Sequence, residues 1–247
     1  MYGRVPVNKA LIISPTGSKL FFDDAYDKEK HWRFTHPDRT YETLLVLYDD
    51  FVPEPGTYDW IWKKQGRKWN IIPEVCKEFD WNEYDYIGCF DDDYCTDIQS
   101  INQALCLARH FDFRLFQQSV TSWTFYPCLE HNKELAFTET NFIELGVPFF
   151  RNDIFRKVLR FLNDYKYKES DWGIDKVLCH YLQQTAHVIH ASSIKHMRKE
   201  SSYSREAGYR EMHYMMTDFF PKYMKKNFNV TYHPYDRQDV INVWRRK

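Results

Sequence analysis

The six cysteines, at 76, 89, 95, 106, 128 and 179, include no Cys-x-x-Cys pair. Their spacing supports neither a zinc framework nor a disulfide scaffold, so free thiols in a reducing compartment are expected, filling core space. No apolar run approaches the roughly 18 residues that a bilayer span needs. The opening Met1-Tyr2-Gly3-Arg4-Val5-Pro6 lacks the charged-then-apolar order of a secretion signal. A cytoplasmic protein, of a microbe or of a virus-infected host, is the expectation. Glycine is scarce at 8 residues, and no repeat, low-complexity segment or linker interrupts the 247 residues. One domain is therefore expected: residues 1–194 as its body, with 195–247 as an extension packed on it.

What is present is ordinary for a folded protein in bulk, at 43% hydrophobic and 28% charged residues, with a high aromatic share of 18%. The net charge of −1 hides an asymmetry. Residues 195–247 hold 12 Lys/Arg against 6 Asp/Glu, and residues 1–194 hold 22 against 29. An acidic body with a basic, Tyr-rich tail suits either a tail that meets an anion or a solvated helical surface.

One stretch organises the chain: Tyr84-Asp85-Tyr86-Ile87-Gly88-Cys89-Phe90-Asp91-Asp92-Asp93-Tyr94. It reads as a short core strand running into three consecutive carboxylates. Adjacent carboxylates repel, and their ionisation is tolerable where water or a cation neutralises them. An α/β sheet places its ligands at the C-terminal edge of such strands. A divalent-metal site at the end of a central strand and a solvated acidic turn are the two readings. A second apolar run, Thr43 to Tyr48, also stops at acids, Asp49-Asp50, which makes that sheet edge electronegative.

Further strands are expected at Ala10–Ile13, before the turn Ser14-Pro15-Thr16-Gly17, at Arg114–Gln117 and at His187–His190. Residues 51–62, with Pro53, Pro55 and Gly56, read as a loop, and 137–150 as an extended segment carrying Gly146. Helical spacing marks 71–79, 98–110, a helix from Asp153 through Leu162, another from Ile174 through Leu182, and 205–224.

This order of parts resembles the GT-A-fold glycosyltransferases over roughly residues 10–190. The resemblance rests on Asp91-Asp92-Asp93 after an apolar strand, on Gly146 in a downstream extended segment, on Asp175 in Trp172-Gly173-Ile174-Asp175, and on His190. Leu47-Tyr48-Asp49-Asp50 and Lys68-Trp69 extend it toward a little-characterised glycosyltransferase family of plants and microbes. The acceptor-side motif of the fold carries Glu-Asp, whereas Ile174 precedes Asp175 here. The tail beyond 195 lies outside the resemblance.

The resemblance implies a single Rossmann-like α/β domain: a mixed, mostly parallel sheet flanked by helices, with a helical basic extension. It implies a hexosyltransferase that uses a nucleotide sugar, a UDP-sugar, with Mn²⁺ or Mg²⁺ held by hard oxygen ligands. Asp93 is the direct metal ligand in that scheme, Asp91 binds the metal or the donor ribose, and His190 completes the site. Asp92 turns to the opposite face by strand alternation, in a structural role on the donor side. Asp49, Asp50, Lys68 and Gly146 are the other donor-side residues. Asp175 is the general base on an inverting course, or a helix N-terminal acid stabilised by the dipole. Asp171 is read as the N-cap of that helix and, with Trp172, as an acceptor-side residue. The acceptor is a glycan or a hydroxymethylated base in DNA. Two other classes remain: a non-catalytic binding protein, and a metal-dependent hydrolase or nucleotidyltransferase. The last would bring Asp49 or Asp50 to about 4 Å across a shared cation pair from Asp91 or Asp93.

Overall fold

The computed structural model describes residues 9–166, 169–198, 204–232 and 240–245. The apolar runs of the sequence become its innermost strands. β1 (Ala10–Thr16) and β2 (Tyr41–Leu47) pair in parallel over their full length, and β4 (Tyr86–Cys89) lies parallel on the other side of β1. Being covered on both faces, these strands have no need of polar alternation, and nearly every residue in them is buried. Ile12, Ile13, Leu44, Leu45 and Ile87 are fully sequestered, each stabilising the fold by about 1.5–3 kcal/mol relative to exposure.

The remaining strands are β3 (Trp60–Lys63), β5 (Tyr94–Cys95), β6 (Leu115–Val120), β7 (Leu135–Thr140), β8 (Phe149–Arg151), β9 (Ala186–His196) and β10 (Val240–Arg245). They form one sheet in the order β10-β7-β9-β6-β8-β4-β1-β2-β3, with β5 paired to β9 off this path. The pairings make β1, β2, β3, β4, β6, β9 and β10 run one way and β5, β7 and β8 the other. The expected mixed, mostly parallel sheet is what the chain forms.

Helices α1 (Lys68–Glu78), α2 (Ile98–Phe111), α3 (Asn152–Asp164) and α4 (Ile174–Leu182) flank the sheet. α2 starts where Asp97 accepts the Ser100 N–H at 2.8 Å, and it buries Ile98, Ile101, Ala104, Leu105 and Ala108 at helical spacing. On the opposite face α1, α3 and α4 share a core with β1, β2 and β4. The tail forms α5 (Arg205–Tyr214), a π-turn at Met215–Phe219 and α6 (Phe220–Phe228), whose Met215, Met216, Phe220 and Met224 enter that same core. None of the helices among the described residues is long and apolar enough to cross a membrane.

Several elements differ from the sequence expectation: β1 continues through Ser14, Pro15 and Thr16 of the expected turn, and β6 runs on to Val120. Residues 60–62, read as the end of a loop, form with Lys63 an edge strand on β2. The extended segment 137–150 is the end of β7, a loop, and the short β8. The strand expected at 187–190 runs on to His196, which brings that histidine beside β5.

Candidate active site

The C-terminal ends of β1, β2 and β4 meet beside the loop 141–148. Phe90 donates its N–H to Ile13 O at 3.0 Å, and Asp91 donates its own to Gly146 O at 2.8 Å. A Cβ on Gly146 would collide with the Tyr94 ring, so the close approach of this loop to the acid run depends on glycine. From the first turn of α1, the buried ammonium of Lys68 reaches into the junction. It donates to the carbonyls of Leu145 and Gly146 (3.3 Å) and pairs with Asp91 at 2.7 Å.

The three consecutive acids divide as alternation requires. Asp92 turns away from its neighbours and is buried, its Oδ2 accepting the Gly17 N–H at 3.1 Å and the Tyr48 hydroxyl at 2.6 Å. It thereby straddles the ends of β1, β2 and β4. Asp91 and Asp93 share the other side. The dense surround of Asp91 raises its pKa to about 6, with the pull of Lys68 opposing and the charge of Asp93 reinforcing the rise. Its carboxylate is nevertheless 43% exposed, so it opens toward solvent.

Asp93 faces a histidine, and it is His196. β5 pairs Tyr94 with His196, their rings stack at 4.6 Å, and the His196 Nε2 lies 3.4 Å from Asp93 Oδ2. Burial disfavours the imidazolium, but the carboxylates of Asp93, Glu144 and Asp91 outweigh it and raise the His196 pKa. His190, expected here, is six positions back along β9. Its Nδ1 accepts the Asn132 N–H at 3.2 Å and its Nε2 meets Thr138 Oγ1 at 3.2 Å, so it serves the packing of β7 on β9.

Across the edge, Asp175 opens α4. Its Oδ1 accepts the N–H groups of Gly173 (3.1 Å) and Lys176 (3.0 Å), and its Oδ2 accepts the Tyr126 hydroxyl at 3.1 Å. Burial raises its pKa, while Lys176 and these donors pull the other way. Glu144 lies within electrostatic reach of His196, Asp175 and Asp91, and burial lifts it to about 7. The site therefore contains a carboxyl group that titrates near neutrality between the Asp93–His196 pair and Asp175.

Other expected residues separate. Asp49 holds the turn after β2 by accepting the N–H groups of Ser18 (3.2 Å) and Phe51 (3.1 Å). Asp50 points outward, 98% exposed, on Lys63, because a two-residue acid pair after a strand can direct only one side chain inward. Asp171 is not the N-cap. It has φ +66°, and Gly173 at φ +95° occupies the cap position. Trp172 packs edge-on against Tyr209, and its indole would collide with a Cβ on Gly208, which places it under α5.

Among the described residues no three His, Cys, Asp or Glu side chains are arranged to hold a metal ion. Asp93 and His196 are in contact at 3.4 Å while Asp91 is held on Lys68, so a hard cation there would draw most of its oxygens from a phosphate ligand and water. Asp49 is engaged in its own turn and Asp50 on Lys63, where a two-metal centre would need one of them beside Asp91 or Asp93.

No family model matches the chain, and no curated protein matches it. Its fold does recur among solved structures. The crystal structure of S. aureus TarS 1–349 in complex with UDP-GlcNAc is 9% identical and superposes with a TM-score of 0.51, over 91% of this chain and 73% of that one. A further structure of S. aureus TarS 1–349 gives 9% identity and a TM-score of 0.50, over 89% and 73%. At such identity the likeness is one of fold: the chain shares its α/β architecture with a protein crystallised with UDP-GlcNAc.

Proposed function

We propose that the chain transfers a sugar from a nucleotide sugar, a UDP-sugar, to an acceptor hydroxyl. The observation that carries this reading is the gathering of His196, paired with Asp93, and of Asp175, paired with Tyr126, around Glu144 at the C-terminal edge of the sheet. One pair suits a leaving diphosphate and the other an attacking hydroxyl. The fold shared with a UDP-GlcNAc complex supports the choice of donor.

In this reading Asp92 and Asp49 fix the loops that receive the nucleotide, and Lys68 holds the Gly146 loop against the acid run. Mn²⁺ or Mg²⁺ on Asp93 and His196, with Asp91 alongside, would neutralise charge on the departing diphosphate. Asp175 takes the proton from the acceptor oxygen as that oxygen bonds to the anomeric carbon and the bond to the diphosphate breaks. Its two backbone donors and the Tyr126 hydroxyl aim the carboxylate and oppose the rise in pKa that burial causes. Glu144, near its pKa at neutral pH, tunes the charge between the two halves.

The test is release of UDP from a panel of UDP-sugars with Mn²⁺ or Mg²⁺, with and without simple glycosides as acceptors. Slow release by the wild type, lost in Asp93→Ala with the circular dichroism spectrum intact, is the expected result. Absence of both binding and release with every donor would overturn the reading.

A further inference from the structure

Beside Asp92 lies a group of cations that the chemistry above leaves unused. Arg33 comes from the long connection between β1 and β2. It is 3% exposed, and its Nε and Nη1 are buried without a hydrogen-bond partner. Burial pushes its pKa down to about 10, and Asp92 and Tyr48 are the groups that oppose the shift. Arg198, just past the end of β9, approaches the same carboxylate, its Nη1 3.9 Å from Asp92 Oδ1. Its guanidinium also lies 4.9 Å from the centre of the Phe21 ring, and Lys19 Nζ lies 4.6 Å from that centre.

Arg33 from the β1–β2 connection and Arg198 from the end of β9 thus bear on one acid, with Lys19 of the same connection sharing the Phe21 ring with Arg198, and that acid is already committed. Its Oδ2 takes the Gly17 N–H and the Tyr48 hydroxyl. The neighbouring carboxylates are also engaged: Asp49 with Ser18 and Phe51, and Asp23 with Lys195. A buried guanidinium with idle donors is disfavoured unless an anion or ordered water completes it. A planar fork of N–H donors matches phosphate oxygens in particular. The position fits as well. β1 has β2 on one side and β4 on the other, and the crevice beyond the ends of β1 and β4 is where an open α/β sheet takes its ligand. Asp92 spans that crevice.

We propose that Arg33, with Arg198 and Lys19, forms an anion site that takes the diphosphate of a nucleoside diphosphate, using guanidinium donors without need of a metal. The inference rests on the donor class proposed above. Asp92 then serves as the floor that holds the cations apart and spares them full repulsion until the phosphates arrive.

The full chain is titrated calorimetrically with UDP, inorganic pyrophosphate and uridine, in EDTA and at low salt. UDP and pyrophosphate are expected to bind and uridine to bind far more weakly. Loss of a charge-assisted bidentate contact in Arg33→Met should weaken UDP and pyrophosphate by about ten- to a hundredfold. Arg198→Met, altered at a half-exposed side chain that carries little of the fold, should weaken both in the same direction. Arg33→Lys should recover part of the loss. The melting temperature of Arg33→Met without ligand should hold or rise, because an uncompensated buried charge is removed. A fall in melting temperature with UDP affinity unchanged would make Arg33 a structural residue and overturn the proposal. So would binding of UDP or pyrophosphate that vanishes in EDTA, or that neither Met variant weakens. The transferase reading fails separately: Arg33-dependent pyrophosphate binding with no turnover of any UDP-sugar leaves the anion site standing alone.

Discussion

Lys68 Nζ and Asp91 Oδ1 lie 2.7 Å apart, and the same ammonium holds the carbonyls of Leu145 and Gly146. A single cation thus ties α1, the acid run after β4 and the glycine loop into one rigid corner. Lys68→Met leaves those carbonyls and Asp91 without their donor. Breaking a fully buried pair costs about 3–5 kcal/mol. Because Asp91 is partly solvated, the expected loss is about 2 kcal/mol. Urea denaturation measures it, and a change below experimental error would mean that the corner is held by other contacts.

Glu144 imposes a pH dependence on stability. Its ordinary pKa is 4.5 and burial raises it to about 7 in the folded chain. Below about pH 4.5 both states carry the proton and the group contributes nothing. Between about 4.5 and 7 the folded chain retains a proton that the unfolded chain has lost, so stability falls as pH rises. Above 7 the full cost of the buried charge is present. Glu144→Gln should therefore match the wild type at pH 4 and exceed it in melting temperature at pH 8. Equal melting curves at pH 8 would show the carboxyl to be solvated.

These two groups also mark what the sequence makes legible. The acid-ended strands stand out because apolar runs covered on both faces need no periodicity, and the side-chain alternation that separates Asp92 from Asp91 and Asp93 is local geometry. Gly146 is legible as a close backbone approach, which the fold makes to the Tyr94 ring. His196 is hidden because the expected strand stops at His190, before Ser192 and Ser193. In the fold the Ser192 hydroxyl donates to Ser100 O at 2.6 Å and accepts from Gln118 Nε2 at 2.6 Å, so the polar pair is satisfied inside a long strand. Glu144 and Arg33 carry no local signal. Their significance arises from what surrounds them after folding, and no spacing in the chain encodes it.

In the proposed reaction, the Asp175–Tyr126 contact separates orientation of the base from its chemistry. Asp175→Asn should lower transfer by about 10²–10⁴-fold, the range associated with removing a general base. Tyr126→Phe should leave the carboxylate in place but less well aimed, lowering kcat by about tenfold through one lost hydrogen bond. Neither variant should change UDP affinity measured by calorimetry. A matching loss of UDP affinity in Asp175→Asn would move this residue to the donor side.

Glu211 reaches the site from the tail. It is fully buried in α5 and accepts the Tyr165 hydroxyl at 3.0 Å, the Ser170 N–H and hydroxyl (2.8 Å for the latter), and the Asp171 N–H at 3.2 Å. The loop so gathered leads directly through Gly173, at φ +95° and packed on Met212 and Met215, into Asp175. Removing the carboxylate strands several buried donors at once, each costing about 1–3 kcal/mol. Part of that cost is relieved as the loop shifts, so Glu211→Ala should lose about 3 kcal/mol. Tyr165→Phe, which removes one donor together with its need for an acceptor, should lose about 1 kcal/mol. Because the loop sets the entry of α4, Glu211→Ala should also cut transfer at temperatures where it remains folded, while Tyr165→Phe should not. If Glu211→Ala destabilises the chain yet turns over at the wild-type rate, α5 is a brace for the core alone and the position of Asp175 is set within α4 itself.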